Sequence, residues 1–350
     1  VIFEAPPGFG KTVVLIKMIE MLGRTTLVVV PRSNLVKQWV ERLKEHSSLT
    51  DADIGVALDG KCKWKGKKIV VGLVHTLTLD RFGNGFRDHF GTVVFDEVDR
   101  SVPPATFSTA VTMFPSKYRI GASATLKRTD GMDVVFEKHI GETRITAEDA
   151  NRMSPTVILH SFDDNMGDVW EGSPTLNRRG MLLSMLSKDP KRNMLIAYYI
   201  GLIHKSGRRC VVLSDRTLQL YRLRELVVGC KGIPRDETGF YVRQLDTGNR
   251  KKRSITEAER RRVASDCNVI FATYGMMALG TDIPELSALI YATPQSQVEQ
   301  SKGRIERVCD GKKQPVVVDI VDTAYPDAKR WAFARQRQYR AENLKIKRYK

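Results

Sequence analysis

The chain has 350 residues, enough for two domains of ordinary size, and its 42% hydrophobic content excludes disorder as the default state. Its 57 Lys and Arg against 40 Asp and Glu give a formal net charge of +17, which favours a polyanionic partner, nucleic acid first. An anionic membrane surface is the rival, but the chain has no long apolar run and no lipidation signal.

Val1-Ile2-Phe3 is the segment available to form the strand that must precede the Gly-rich turn starting at Ala5. With no signal peptide and no initiator Met, the sequence reads as a chain whose natural upstream part is missing. Thr12 to Leu22 has a helical pattern, and Gly23 is placed to end it. Thr26–Val30, Ile69–Leu73, Val93–Phe95 and Tyr118–Gly121 are short, β-branched-rich and nearly continuous, as strands buried on both faces of a parallel sheet are. Ser33 can cap a second helix whose Leu35, Val36, Trp39, Val40 and Leu43 share one face.

From Thr146 to Asp189 the sequence is irregular, a connection with one strand (Thr156–His160) and a helix starting near Thr175. A second series of strands follows at Arg209–Ser214, Phe240–Leu245, Val269–Thr273, Ala288–Ala292 and Val316–Ile320, with a capping box at Thr256 and Glu259. The last stretch, Asp327–Lys350, holds nine Lys or Arg and two acidic residues. It reads as a basic helix, packed on the second domain or laid on nucleic acid. The fold class is therefore α/β, with two tandem doubly wound parallel sheets. The expected division is a domain at 1–150, a connection at 151–185, a second domain at 186–326 and a basic tail at 327–350.

Four of the five scattered cysteines follow or end apolar or strand-like segments, which suits buried thiols in a reducing cytoplasm. No cysteine or histidine spacing suggests a metal site beyond nucleotide-bound Mg²⁺.

Four motifs carry the chemistry. In Ala5-Pro6-Pro7-Gly8-Phe9-Gly10-Lys11-Thr12, glycines allow backbone N–H groups to close on phosphate oxygens at a helix N-terminus. Lys11 would reach the β- and γ-phosphates of ATP, and Thr12 would offer its hydroxyl to Mg²⁺. Ala5 stands where the pattern usually has its first glycine, and an ordinary Gly-rich turn is the bland alternative. Asp96 and Glu97 end an apolar strand, where open α/β sheets bind ligands. Asp96 can hold Mg²⁺ through water and Glu97 can deprotonate the attacking water, while Asp99, just beyond the pair, would bridge to another motif in preference to touching nucleotide. The third motif is Ser123-Ala124-Thr125. In the fourth, Gln300 to Arg307, the spacing predicts a helix with Gln300, Arg304 and Arg307 on one face. Guanidinium groups there would stabilise a transferring phosphoryl group, against the alternative of a solvated basic helix. The run Lys61–Lys68 around Trp64 reads as a polar edge or turn in preference to a nucleic-acid platform. Arg250–Arg253 and Arg260–Arg262 read as a solvated face.

At length, these segments resemble the superfamily 2 helicases, and within them the phage UvsW-like and XPB-type group with DExD/H-box wording. The resemblance runs from Ala5 to about Asp322 and rests on Val30–Leu35 with Gln38-Trp39, Phe95–Arg100, Lys117–Gly131 and Ala272–Pro284. It implies two RecA-like lobes of the P-loop NTPase type with ATP bound between them. Pro7, Gly8, Phe9, Gly10, Lys11 and Thr12 would bind nucleotide, joined by Gly280 and Asp282 of the fifth motif. Asp96, Glu97, Lys11, Gln300, Arg304 and Arg307 would be catalytic, with Thr12 and Asp96 on Mg²⁺. Asp99, Ser123 and Thr125 would couple hydrolysis to strand movement. Nucleic-acid phosphates, DNA in preference to RNA, would lie near Pro31, Arg32, His75, Thr76, Ser214, Arg216, Thr273 and Tyr274. Leu126 replaces a common proline, Arg32 replaces a common threonine, and no adenine-reading glutamine precedes the phosphate loop. The implied activity is that of an ATP-dependent DNA helicase or translocase in phage-type repair, recombination or fork remodelling, in a bacterial or phage-infected cytoplasm. The alternatives are a restriction-type motor subunit, which would need a nuclease partner, and a nucleic-acid-binding ATPase switch without unwinding.

Overall fold

The computed structural model describes the chain except residues 7–8, 80–81, 99–108, 110–111, 124–133, 148–151, 165–177, 250, 279–282 and 297, with the backbone alone at 134–136, 278, 299 and 300. The chain divides into two compact units, residues 1–150 and 151–350.

In the first unit, eight strands form one sheet among the described residues. They are β1 (Ile2–Glu4), β2 (Thr26–Val30), β3 (Ile54–Leu58), β4 (Lys61–Cys62), β5 (Ile69–Leu73), β6 (Thr92–Asp96), β7 (Tyr118–Ser123) and β8 (Arg144–Thr146). Their order is β4-β3-β5-β2-β6-β7-β1-β8, parallel throughout except β3 against β4. The helices are α1 (Lys11–Leu22), α2 (Ser33–His46), α3 (Val74–Leu77), α4 (Asn84–Arg87) and α5 (Val134–His139). Strand β2 shows why its sequence is apolar without alternation. Leu27 and Val29 enter a core with Val70 and Phe95, and Val28 and Val30 enter another with Leu15, Ile16 and Trp39. Gly23 ends α1 at φ 58°, as its position predicts, and donates its N–H to the Ile19 carbonyl. Ser33 does not cap α2. The extended residue before the helix is Arg32, so Ser33 is already the first helical residue. The Lys61–Lys68 run is an edge strand and turn. Trp64 is anchored edge-on against Phe86 and His89, at 5.6 and 5.1 Å between ring centroids, so it is not a free stacking platform.

Asp53 ties β3 to the β5 side. Its carboxylate accepts from the Thr50 N–H and pairs with Lys68 at 2.9 Å, which lowers its pKa to about 2. A carboxylate whose folded pKa lies below its unfolded value contributes stability at pH above about 4 and loses it as pH falls toward 2. The Asp53→Asn variant should therefore show a flatter stability profile than the parent over that window, measured by urea unfolding at each pH.

The second unit opens with β9 (Thr156–Phe162), α6 (Arg178–Lys188), α7 (Pro190–Lys205), β10 (Arg209–Leu213), α8 (Thr217–Lys231), β11 (Thr238–Tyr241), β12 (Gln244–Leu245), β13 (Arg253–Ser254) and α9 (Glu257–Asp266). It continues with β14 (Val269–Ala272), α10 (Tyr274–Ala278), β15 (Leu286–Tyr291), α11 (Glu299–Gly303), β16 (Val316–Asp322), α12 (Pro326–Ala341) and β17 (Ile346–Tyr349). Among the described residues, seven strands form a parallel sheet in the order β11-β14-β10-β15-β16-β9-β17, and β12 and β13 make an antiparallel ribbon. The expected strand 240–245 is thus split. The Arg243 carbonyl accepts the Ile255 N–H and draws the chain out of the parallel sheet into the ribbon. The capping box at Thr256 and Glu259 is present. The basic tail is α12, packed through Ala328, Ala332, Arg335, Gln336 and Tyr339, and it then continues as the edge strand β17 beside β9. Of the cysteines, Cys210 and Cys267 are buried, Cys62 and Cys309 half-buried, and Cys230 is exposed. Among the described residues, no helix is long and apolar enough to cross a membrane.

Candidate nucleotide-binding site

Strands β6, β7 and β1 are consecutive in the sheet, so their carboxyl ends meet at one edge. Glu4 pairs with Ser123 and Asp96 pairs with Ala122. The Ala5 N–H donates to the Ser123 carbonyl at 3.1 Å, and the Val98 N–H donates to the Ala122 carbonyl at 3.1 Å. One strand end therefore holds the start of the phosphate loop on one side and the acidic turn on the other. Ser123, buried, stands between them.

Gly10 closes the loop at φ 91° in the left-handed region, immediately before α1. A side chain there would meet no neighbour but would strain the backbone. Lys11, the first residue of α1, donates its ammonium to the Ala5 and Pro6 carbonyls at 2.8 and 3.2 Å. The first turn of α1 has no acidic residue, so the helix itself leaves its positive end un-neutralised. Phe9 packs edge-on against Phe3, at 6.0 Å between ring centroids. Pro7 and Gly8 lie outside the described residues, as do Asp99, Thr125, Gly280 and Asp282.

Asp96 is oriented by two donors. The indole N–H of the buried Trp39 reaches one carboxylate oxygen at 2.8 Å, and the Glu97 N–H reaches the other at 3.0 Å. Glu97 itself has φ 51°, a left-handed conformation that costs a non-glycine residue on the order of 1 kcal/mol. That positive φ falls where the chain leaves β6, at the carboxyl edge of the sheet.

In the second unit the expected long helix is absent. Helix α11 covers only Glu299–Gly303, and Arg304 and Arg307 follow it in a turn. They do not share a helix face. Gly303, a poor helix residue, ends the helix, and the buried Ile305 draws the following turn into the core. Gln300 is the second residue of α11. Arg304 and Arg307 are half-buried.

The eight residues expected near nucleic-acid phosphates divide by exposure. Pro31, Thr76 and Ser214 are buried, and the Ser214 hydroxyl donates to Gln219 while accepting the Arg216 N–H. Their side chains face the protein. His75 is exposed, and Arg32, Arg216, Thr273 and Tyr274 are half-buried. Arg216 donates to the Ser184 hydroxyl at 3.0 Å and the Gly180 carbonyl at 2.8 Å. The Tyr274 hydroxyl donates to the Thr293 carbonyl at 2.5 Å, and burial drives its pKa well above the ordinary phenol value.

A family model described as "Type III restriction enzyme, res subunit" matches residues 1–128. Relatives are similar in sequence over nearly the whole chain. A protein of Acanthamoeba polyphaga mimivirus named as an ATP-dependent RNA helicase, L396, is 26% identical over 349 residues, covering 98% of this chain and 64% of its own length. The protein D10 of Escherichia phage T5, named as a helicase, is 26% identical over 327 residues, covering 91% of this chain and 67% of its own length. Over nearly its whole length the chain is similar to proteins named as helicases, in keeping with its resemblance to superfamily 2. It spans about two thirds of the length of these curated relatives. Both units have the RecA-like fold of such helicases. The ATP-dependent Type ISP restriction-modification enzyme LlaBIII, solved bound to DNA, aligns at a TM-score of 0.67 with 14% identity, over 99% of this chain and 30% of that one.

Within this candidate site, Trp39 is the residue whose contact the sequence pattern does not reveal. Its spacing marked it as part of the apolar face of α2, and it is, but an indole buried at a core edge also seeks a partner for its N–H. That partner is Asp96. Trp39→Phe keeps the ring in the core and removes the donor, so we expect ATP turnover to fall roughly tenfold, by analogy with lost hydrogen bonds to charged groups. Steady-state hydrolysis together with a thermal melt would separate this from unfolding.

Proposed function

We propose that this chain is an ATP-driven nucleic-acid translocase or helicase that acts on DNA in phage-type repair, recombination or replication-fork remodelling. The observation that carries the reading is the meeting of the phosphate loop, Ser123 and the Asp96-Glu97 turn at the ends of three adjacent strands. Lys11 is poised to exchange its loop carbonyls for phosphate oxygens of ATP, and the helix N-terminus adds its partial positive charge. Glu97 would take a proton from the water that attacks the γ-phosphorus, and the bond from that phosphorus to the bridging oxygen would break to leave ADP. Gln300, Arg304 and Arg307 would stabilise the charge of the transferring group.

Thr12 and Asp96 supply hard oxygen donors, the kind Mg²⁺ prefers. Among the described residues, no three His, Cys, Asp or Glu converge, so phosphate oxygens and water would complete its shell. A bound Mg²⁺ would neutralise phosphate charge. Trp39 keeps Asp96 aimed for that role.

DNA is favoured by the resemblance to phage and XPB-type DNA helicases, and the net charge of +17 supports a polyanion of either kind. The relative L396 bears an RNA helicase name, so both substrates must be tried. Strand displacement on a forked DNA duplex and on the matching RNA duplex, with and without ATP, tests the proposal. ATP-dependent displacement of DNA in excess of RNA is expected, and displacement of RNA alone would refute the DNA assignment. A second reading, the motor of a restriction-type nuclease complex, is favoured by the description of the family matched at residues 1–128. It predicts ATP-driven movement along duplex DNA without strand displacement.

A further inference from the structure

Between Gln300 and Arg307, the chain alternates two kinds of charge. Arg304 and Arg307 are half-buried, whereas Lys302 and Glu306 are sunk into the second unit, at 1% and 3% exposure. The Lys302 ammonium donates to one Glu306 oxygen at 2.5 Å and also to the Glu342 carboxylate just beyond the end of α12. The other Glu306 oxygen meets the Arg152 guanidinium at 3.2 Å, and the Glu306 backbone carbonyl accepts the Met153 N–H at 2.9 Å. On the far side of the turn, Lys312 donates to the Arg307 carbonyl at 2.6 Å and the Pro284 carbonyl at 2.8 Å.

A buried ion pair is poor value as a source of stability, because desolvation offsets much of the attraction, and apolar residues of similar volume often do as well. What the pair supplies is geometry. Four charged groups with matched partners fix the turn in one register, and that turn carries both arginines. We infer that Lys302 and Glu306, held by Arg152 and Glu342, are positioning residues that set Arg304 and Arg307 for ATP hydrolysis. The turn is thereby tied to the first residues of the second unit and to its last long helix. This inference rests on the ATP-hydrolysis reading above.

The test is a double-mutant cycle on steady-state ATP hydrolysis at saturating single-stranded DNA. Glu306→Gln should lower kcat about 10- to 100-fold, the scale of a small misplacement of catalytic groups, with KM for ATP within about threefold of the parent. In an Arg304→Lys, Arg307→Lys background, which keeps charge but loses the guanidinium fork, the same change should cost no more than about twofold. Equal losses in the two backgrounds, or an unchanged kcat, would overturn the inference. Should Glu306→Gln fail to fold in a thermal melt, Arg152→Gln and Glu342→Gln serve instead, since both side chains reach solvent. Each is then expected to lower kcat about 3- to 10-fold in the parent and not in the lysine background, and equal effects in both would again overturn it. Lys11→Ala separates the two levels. If Lys11→Ala hydrolyses ATP as fast as the parent, the ATP reading fails and takes the inference with it. If Lys11→Ala is inactive while Glu306→Gln is unimpaired, the inference alone fails.

Discussion

Replacing Lys11 by alanine is expected to lower nucleic-acid-stimulated ATP turnover by roughly 100-fold or more, the scale on which single groups that stabilise transition-state charge act. The fold should survive. The ammonium bonds two loop carbonyls, Ala5 and Pro6, and belongs to no apolar core, so its loss removes little packing. What disappears is a positive charge preorganised inside the loop, which needs no reorientation when phosphate arrives. The result should be a collapse of kcat, with a thermal midpoint close to that of the parent. A Lys11→Ala protein that still hydrolyses ATP at the parental rate under saturating DNA would remove Lys11 from the chemistry.

The largest effect on stability is expected at Arg192. Its guanidinium is fully buried and donates to both oxygens of the equally buried Asp322, at 2.6 and 3.2 Å, and to the Ala292 carbonyl. The residue therefore clips α7 to the ends of β15 and β16. Arg192→Met would leave Asp322 as a buried charge without its cation, which costs about 3–5 kcal/mol in comparable cases. The loss should fall on the second unit, because the pair lies wholly inside it. Hydrogen exchange in urea, read on peptides of β10, β15 and β16, would localise it. The double variant Arg192→Met with Asp322→Leu should recover most of the loss, since it removes both charges together. A single variant whose second-unit strands exchange like the parent's would show that the pair contributes nothing.

Much of this was legible in the residues, for identifiable reasons. Thr26–Val30 and Ile69–Leu73 read as strands because a parallel sheet covered on both faces leaves no position for a polar residue. Gly23 and the Thr256–Glu259 box marked helix ends because end chemistry is local. The failures are equally physical. Spacing alone puts Arg304 and Arg307 on a helix, but tertiary pairing through Lys302 and Glu306, distant in sequence from Arg152 and Glu342, keeps the chain in a turn. Residues 240–245 look like one strand in the sequence because nothing local signals that Arg243 pairs with Ile255. The side chains of Pro31, Thr76 and Ser214, which the resemblance puts near phosphates, are buried, so a contact there would have to come from backbone groups. The role of Trp39 depended on a contact 57 positions away in the chain.

The central claim is that the carboxyl edge of the first sheet, with its phosphate loop and acidic turn, drives an engine that nucleic acid switches on. Steady-state ATP hydrolysis by the unaltered chain, titrated with single-stranded, duplex and branched DNA and with RNA, tests it most directly. Hydrolysis should be slow alone and rise roughly tenfold or more with DNA, the rise weakening as salt screens the phosphate contacts. The same rate with and without nucleic acid, or DNA binding with no hydrolysis at all, would contradict it.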